Sequence, residues 1–183
     1  MRINAGKWKS RPLVSVDGMD TRPTPDMLKQ ALFNIIGDKI NNAEFCDIFA
    51  GTGNVALEAL SRGAKHAVMV ESAKAALRAI DANIEKLGCR SEVTVMASDA
   101  LLAVKRMTGR KFDYIFFDPP YNKGFEKSIL EGIRDGGLLK QGGRVIVQYE
   151  AKNSVLEEVP SEYDILDERR YGRSAFAILG LKE

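Results

Sequence analysis

Phe117-Asp118-Pro119-Pro120-Tyr121 follows Phe112-Asp113-Tyr114-Ile115-Phe116, an apolar run that reads as a buried strand. A carboxylate, two prolines and an aromatic ring therefore stand where a strand ends. In open α/β sheets the ligand crevice lies at that end. The prolines fix φ and remove two N–H donors, so the main chain there is rigid and offers only carbonyl acceptors. Asp118 adds a second acceptor, and Tyr121 adds a flat face. Two acceptors beside a stacking plane suit a planar amine with two N–H bonds, such as the exocyclic amine of a base. Asp-Pro and Pro-Pro are also common turn dipeptides, and a strand-to-loop turn without chemistry is the plain alternative.

A second constellation lies upstream. Gly51-x-Gly53-x-x-Ala56 fits the G-x-G-x-x-G/A fingerprint of nucleotide sites. Gly51 allows the tight turn, Gly53 lets a ligand approach the backbone, and Ala56 lets helix and strand pack closely. Glu71 ends the next strand, where a carboxylate can accept both ribose hydroxyls of an adenosine group. Asp99 ends the strand after that, in reach of an adenine amino group, and Asp47 stands just before the turn, where it could meet a cationic ligand group. The fingerprint alone does not separate NAD from S-adenosylmethionine, because both carry an adenosine ribose. Asp118-Pro119-Pro120-Tyr121 does: a dehydrogenase needs no proline-locked acceptor pair at that strand end, whereas an amine methyltransferase does.

These residues must be positioned by regular elements, and the periodicity supplies them. Residues 45–50, 67–71, 93–96, 112–117 and 144–149 read as buried strands. Helices are predicted from Val55, over 73–87 with Gly88 as C-cap, over 101–107 and over 125–134. Ahead of them, Thr24 is a plausible N-cap with Pro25 at the first helical position, opening a helix that runs to Gly37 with Leu28, Leu32, Ile35 and Ile36 on one face. Two β-rich runs at 163–170 and 174–181 flank a hairpin turn at Tyr171-Gly172-Arg173. Strand-helix alternation implies a parallel sheet with helices on both faces.

Composition excludes several classes. The chain has 183 residues, 45% hydrophobic and 28% charged, as expected of one soluble globular domain. A single domain is expected over 1–183, comprising a basic N-terminal arm at 1–22, a leading helix at 23–40 and a Rossmann-like core at 45–183. No apolar run is long enough for a transmembrane helix, and no apolar h-region marks a secretory signal. Cys46 and Cys89 read as core thiols in a reducing compartment. With the single His66 they make no zinc site, so no metal is expected. A net charge of +2 does not by itself argue for nucleic acid. Its distribution is more telling: Arg2, Lys7, Lys9 and Arg11 surround Trp8 with no acid among them, which suits a phosphate backbone and an unstacked base. A solvated edge with Trp8 packed inward is the alternative.

Asp118-Pro119-Pro120-Tyr121 has the [DN]-P-P-[YF] form of exocyclic-amine methyltransferases. Arg2-Ile3-x-x-Gly6, Arg22-Pro23-Thr24, Leu32-Phe33-Asn34, Asp47-Ile48-Phe49-Ala50-Gly51-Thr52-Gly53 and Leu57-Glu58-Ala59-Leu60-Ser61-Arg62-Gly63-Ala64 resemble bacterial 16S ribosomal RNA guanine-N2 methyltransferases of the RsmD type. The resemblance runs from Arg2 to about Leu179. The family commonly has a second glycine in the arm where this chain has Ser10, and often a glycine where it has Ala56. The resemblance implies a class I methyltransferase fold, a seven-stranded, mostly parallel sheet with helices on both faces and an antiparallel terminal hairpin. It implies S-adenosylmethionine held among Arg22, Thr24, Asp47, Ala50, Gly51, Thr52, Gly53, Glu71, Ser72, Asp99, Ala100 and Asp118, with Asp118, Pro119, Pro120 and Tyr121 at the reacting amine. It implies RNA contacts from Arg2, Lys7, Trp8, Lys9 and Arg11, in a cytoplasmic, monomeric enzyme acting on 16S RNA within a small-subunit assembly particle. An N6-adenine methyltransferase of DNA or RNA, a Rossmann oxidoreductase and a non-catalytic nucleotide-binding module stay as alternatives.

Overall fold

The computed structural model describes residues 1–16, 26–120 and 124–182. In chain order the elements are α1 Asp26–Ile36, β1 Glu44–Ile48, α2 Asn54–Ser61, β2 His66–Glu71, α3 Lys74–Leu87, β3 Val93–Ala97, α4 Ala100–Arg106, β4 Phe112–Phe117, α5 Phe125–Asp135, β5 Leu139–Glu150, β6 Tyr163–Tyr171 and β7 Ser174–Leu181. The strands form one seven-stranded sheet in the order β3-β2-β1-β4-β5-β7-β6. β1 to β5 run parallel, while β7 is antiparallel to both β5 and β6. This is the class I methyltransferase architecture that the family resemblance implied.

Strand alternation divides the core in two. Phe45, Met69, Phe116, Ile146, Phe176 and Ile178 face one side of the sheet and pack with α1, α2 and α3 through Leu32, Leu57 and Ile80. Cys46, Val68, Ile115, Val147, Ala177 and Leu179 face the other and pack with α4 and α5 through Val104 and Ile129. With both faces covered, these strands are apolar at nearly every position, which is why they are legible as uninterrupted runs.

Two boundaries differ from the periodicity by more than one residue. β1 stops at Ile48 rather than Ala50, because Phe49 turns left-handed at φ 66°. β5 starts at Leu139 rather than Arg144. Gly142-Gly143 lies inside that strand, where a register shift lets Phe112 pair with Leu139 and Tyr114 with Arg144, and Gly142 takes φ 72°. The expected cap at Thr24 and Pro25 lies outside the described residues.

The N-terminal arm folds back on itself and onto α2. Arg2 and Pro12 form an antiparallel bridge, and Ser10 N–H bonds Ile3 C=O at 2.9 Å. Ser10 holds φ 68° there, a left-handed conformation that a glycine adopts with less strain. What fixes the arm is a fully buried carboxylate, Glu58 of α2. It accepts the Asn4 and Ala5 N–H groups at 2.8 and 3.1 Å and Arg62 Nε at 2.7 Å, with Lys29 Nζ of α1 at 3.2 Å. Lys29 is also fully buried and donates to Arg2 C=O and Asn54 Oδ1 at 2.8 and 2.7 Å. At Gly6 a Cβ would stand 1.8 Å from Ser61 O, so only glycine lets the arm lie this close.

Glu58→Ala would leave Lys29 as an uncompensated buried charge and release two arm amides. It is expected to lower the unfolding free energy by about 3–5 kcal/mol, the range for breaking a buried ion pair by removing one partner. Denaturant melts test this, and a loss comparable to that of a surface pair would show that the arm is held by something else.

Candidate active site

The candidate residues collect at the C-terminal ends of the parallel strands. β1 leads through Phe49 and Ala50 into a tight turn, in which Ala50 N–H bonds Val70 C=O and Gly53 N–H bonds Ala50 C=O at 2.9 and 2.8 Å. Gly51 and Gly53 have φ 56° and 81°. A Cβ on Gly53 would meet Met69 Sδ at 3.1 Å, so this glycine is required by both conformation and close packing. A Cβ on Gly51 would meet nothing within 4 Å, which leaves open space against the main chain for a ligand. Asn83 of α3, fully buried, anchors the turn by donating to Thr52 C=O at 3.0 Å and Val14 C=O at 3.2 Å, while its Oδ1 accepts Val14 N–H.

Three carboxylates surround this turn. Glu71 at the end of β2 accepts Gly51 N–H at 2.8 Å with one oxygen and the Ser72 and Ala73 N–H groups at 2.8 Å with the other. Asp47 of β1 is 1% exposed, and its Oδ2 accepts Ala56 N–H from the first turn of α2 at 3.2 Å. Its Oδ1 is buried with no hydrogen-bond partner among the described residues. Burial pushes the Asp47 carboxyl well above the usual carboxylate range; the Ala56 bond opposes this, and Asp118 and Glu71 add to it. Asp118, one residue past β4, is pushed up to about 7 by burial. Its Oδ2 accepts Gln148 Nε2 from β5 at 2.7 Å. Pro119 is buried next to it and Pro120 is exposed.

The structure brings most of the expected residues to one rim. Asp47, Ala50, Gly51, Thr52, Gly53, Glu71 and Ser72 lie around the first turn, with Asp118, Pro119 and Pro120 on the neighbouring strand end. Asp99 follows β3 and caps α4, its Oδ1 accepting Leu101 and Leu102 N–H at 3.0 and 3.2 Å; Ala100 is the first residue of that helix. Arg22, Thr24 and Tyr121 lie outside the described residues. A cavity of about 560 Å³ opens elsewhere, at the start of β5 beside Lys140, Arg144 and Lys182, away from these groups.

The arm residues are not part of this rim as a group. Lys7 and Trp8 bond through their N–H groups to Ser61, the last residue of α2, whereas the glycine turn precedes its first. At 1.5 Å per helical residue the two ends stand about 10 Å apart. Trp8 is 8% exposed and carries Lys7 Nζ 4.3 Å over its ring, and Lys7 also pairs with Glu92 at 2.6 Å. The expectation that Trp8 stacks on a base is therefore corrected: its indole is core. Arg2, Lys9 and Arg11 remain exposed.

Sequence reasoning missed Asn83 and Gln148. Each is a polar residue on an otherwise apolar surface, Asn83 beside Ile80 and Ile84 on the helix stripe, Gln148 inside Val145-Ile146-Val147-Gln148-Tyr149. A polar group at a core position is kept only with partners, and that was the available signal.

The family model described as conserved hypothetical protein 95 matches residues 1–180. YlbH of Bacillus subtilis is 33% identical over 182 residues, covering 97% of each chain. Ribosomal RNA small subunit methyltransferase D of Escherichia coli is 30% identical over 178 residues, covering 97% of this chain and 88% of its own. The solved structure of yhhF from Escherichia coli superposes with a TM-score of 0.88 at 28% identity, covering 100% of this chain and 98% of the other.

The raised Asp118 carboxyl makes the native state bind a proton that the unfolded chain has lost between pH 4 and about 7. This group's contribution to stability therefore falls as pH rises through that window. Asp118→Asn removes the ionisation, and at pH 8 it is expected to be more stable than the wild type by on the order of 2 kcal/mol, a difference that disappears below pH 4. Denaturant melts across this range test the sign; an Asn variant no more stable at pH 8 would mean that the carboxylate is well solvated.

Proposed function

The chain belongs to the family of conserved hypothetical protein 95, the RsmD family of methyltransferases, and on that premise we propose that it uses S-adenosylmethionine to methylate the exocyclic N2 amine of a guanine in 16S ribosomal RNA. The observation that carries this reading is the pairing of Asp118 and the Pro119 carbonyl, at the end of β4, with the unpartnered acceptor of Asp47 on the adjacent strand. We place the enzyme in the cytoplasm, acting as a monomer on a small-subunit assembly particle.

The residues present fit the cofactor. Asp47 Oδ1 is a buried acceptor without a donor, which suits a cationic amine. Glu71 stands beside Gly51, where a carboxylate suits ribose hydroxyls, and the open side of Gly51 admits a ligand to the main chain. S-adenosylmethionine supplies an electrophilic methyl group on a sulfonium sulfur.

An aromatic amine is a weak nucleophile because its lone pair is delocalised into the ring. Asp118 and the Pro119 carbonyl each accept one N–H, which favours a pyramidal nitrogen with its lone pair directed away from both. Holding that geometry supplies much of the acceleration, and the Asp118 charge stabilises the positive charge that develops on nitrogen. Held by Asp47, Glu71 and the Gly51 turn, the cofactor would supply its methyl group to that lone pair, and the amine would lose one proton to solvent. Asp118 accepts only as a carboxylate, so the rate is expected to rise with pH as its proton is lost.

Mass spectrometry of nucleosides from small-subunit RNA, incubated with and without the enzyme, tests the function. N2-methylguanosine is the expected product, and N6-methyladenosine or no methylated base would overturn the reading. Asp118→Ala is expected to lower single-turnover methyl transfer by roughly a hundredfold or more. RNA affinity should change little, because phosphate contacts dominate it. An Ala variant transferring at the wild-type rate would remove Asp118 from the chemistry.

Cofactor binding should also be linked to protons. Asp47 holds a proton over a wider pH range than a solvated carboxyl, and a cationic amine against it favours the anion. S-adenosylmethionine is thus expected to bind with proton release and to bind more tightly as pH rises. Calorimetry in buffers of different ionisation enthalpy reads the proton count, and Asp47→Asn should abolish the release. A proton count identical in wild type and variant would remove Asp47 from the amine site.

A further inference from the structure

We propose that Gln148 is a base-discriminating residue whose side-chain oxygen accepts the N1–H of the guanine while its amide N–H group holds Asp118. The proposal rests on the guanine reading above and adds the residue that would select that base.

Gln148 is 2% exposed in a strand that is otherwise apolar. Its Nε2 donates to Asp118 Oδ2 at 2.7 Å, while its Oε1 is buried without a partner among the described residues. The register explains the meeting. Phe117 pairs with Val147, so the next residues on each strand, Asp118 and Gln148, come side by side. Gln148 has the parity of Ile146, and Asp118 that of Phe116, so both face the side of the sheet that carries Asp47. Across from Gln148, Phe176 of β7 closes the row with an apolar ring.

The orientation of the amide is set by charge. An Asp118 carboxylate accepts only, so the NH₂ group turns toward it and the oxygen turns away. Asp118 and Gln148 together therefore present an edge made of acceptors alone. Among the described residues the charged groups near this edge are also acceptors: Asp47 from β1 and, beyond it, Glu71 from β2. Guanine matches such an edge, because its N1–H and N2 amine are adjacent donors. Adenine does not, because its N1 is an acceptor beside the N6 amine and would leave the Gln148 oxygen facing a lone pair. A buried acceptor that gains its donor only in the complex favours the base that brings one.

The test uses an RNA substrate in which the target guanine is replaced by 2-aminopurine. That base keeps the C2 amine and lacks the N1 proton. Wild-type kcat/KM is expected to favour guanine over 2-aminopurine by roughly 10–100-fold, the range for one well-placed base contact. Gln148→Met, similar in shape and without polar atoms, should bring the two substrates within a few-fold of each other. Gln148→Glu, which keeps an oxygen in place by sharing a proton with Asp118, should retain the preference at a lower rate. If the Met variant does not fold, Gln148→Asn withdraws the oxygen by one methylene and should lose the preference equally. Discrimination unchanged in the Met or Asn variant, or lost in the Glu variant, overturns the proposal. So does a wild type that makes N2-methylguanine yet treats the two bases alike. A wild type that methylates adenine, or no base, instead overturns the guanine reading on which the proposal stands.

Discussion

A parallel sheet covered on both faces leaves polar side chains few places to stand. Along β1, β2, β4 and β5 each residue points into one helix layer or the other, and both layers are apolar. Acceptors gather where the parallel pairing between neighbouring strands runs out. Glu71, Asp118 and Gln148 occupy that row. Asp47 is the exception, one pleat deeper and 1% exposed. It is tolerated there because α2 starts directly behind the glycine turn and turns the Ala56 N–H toward it. The turn, the helix it starts and the buried acid thus form one unit, and the left-handed Phe49 is the point at which the backbone leaves the sheet to make it.

Electrostatics follow from this crowding. Burial raises the Asp47 and Asp118 carboxyls, and at Asp47 the neighbouring Asp118 and Glu71 add to it. Among the described residues no cationic side chain acts on either. A ligand that arrives with a positive charge is favoured, and one that leaves with a positive charge fewer is held less tightly.

Much of this fold was legible because the strands are parallel and buried. Runs such as residues 67–70 and 114–117 have no charged interruption to blur them, and the helices end at residues such as Gly88 that state their role locally. Glu71 and Asp118 were legible for the same reason, since each stands at the end of such a run. What failed depended on distant partners. Gly142-Gly143 reads as a break, yet a shift in register keeps both residues within β5. Nothing local to Lys29 in the sequence reveals its buried partner Glu58 on another helix. Trp8 in a basic run gives no sign of which side chain turns inward; the small face of α2 around Ser61 decides it.

The order of the last strands carries a consequence for synthesis. β7 lies between β5 and β6, so both of these earlier strands await it. Until Ser174–Leu181 has left the ribosome, β6 has no partner and β5 has one bare edge, the edge at which Phe176 later backs Gln148. Chains emerge at about 5–20 residues per second, so the half-built sheet persists for a second or more. During that interval the glycine turn and its acids can already be in place while the base-facing side of β5 is unfinished. The side of β5 that carries Gln148 is thus walled only once Ser174–Leu181 has emerged.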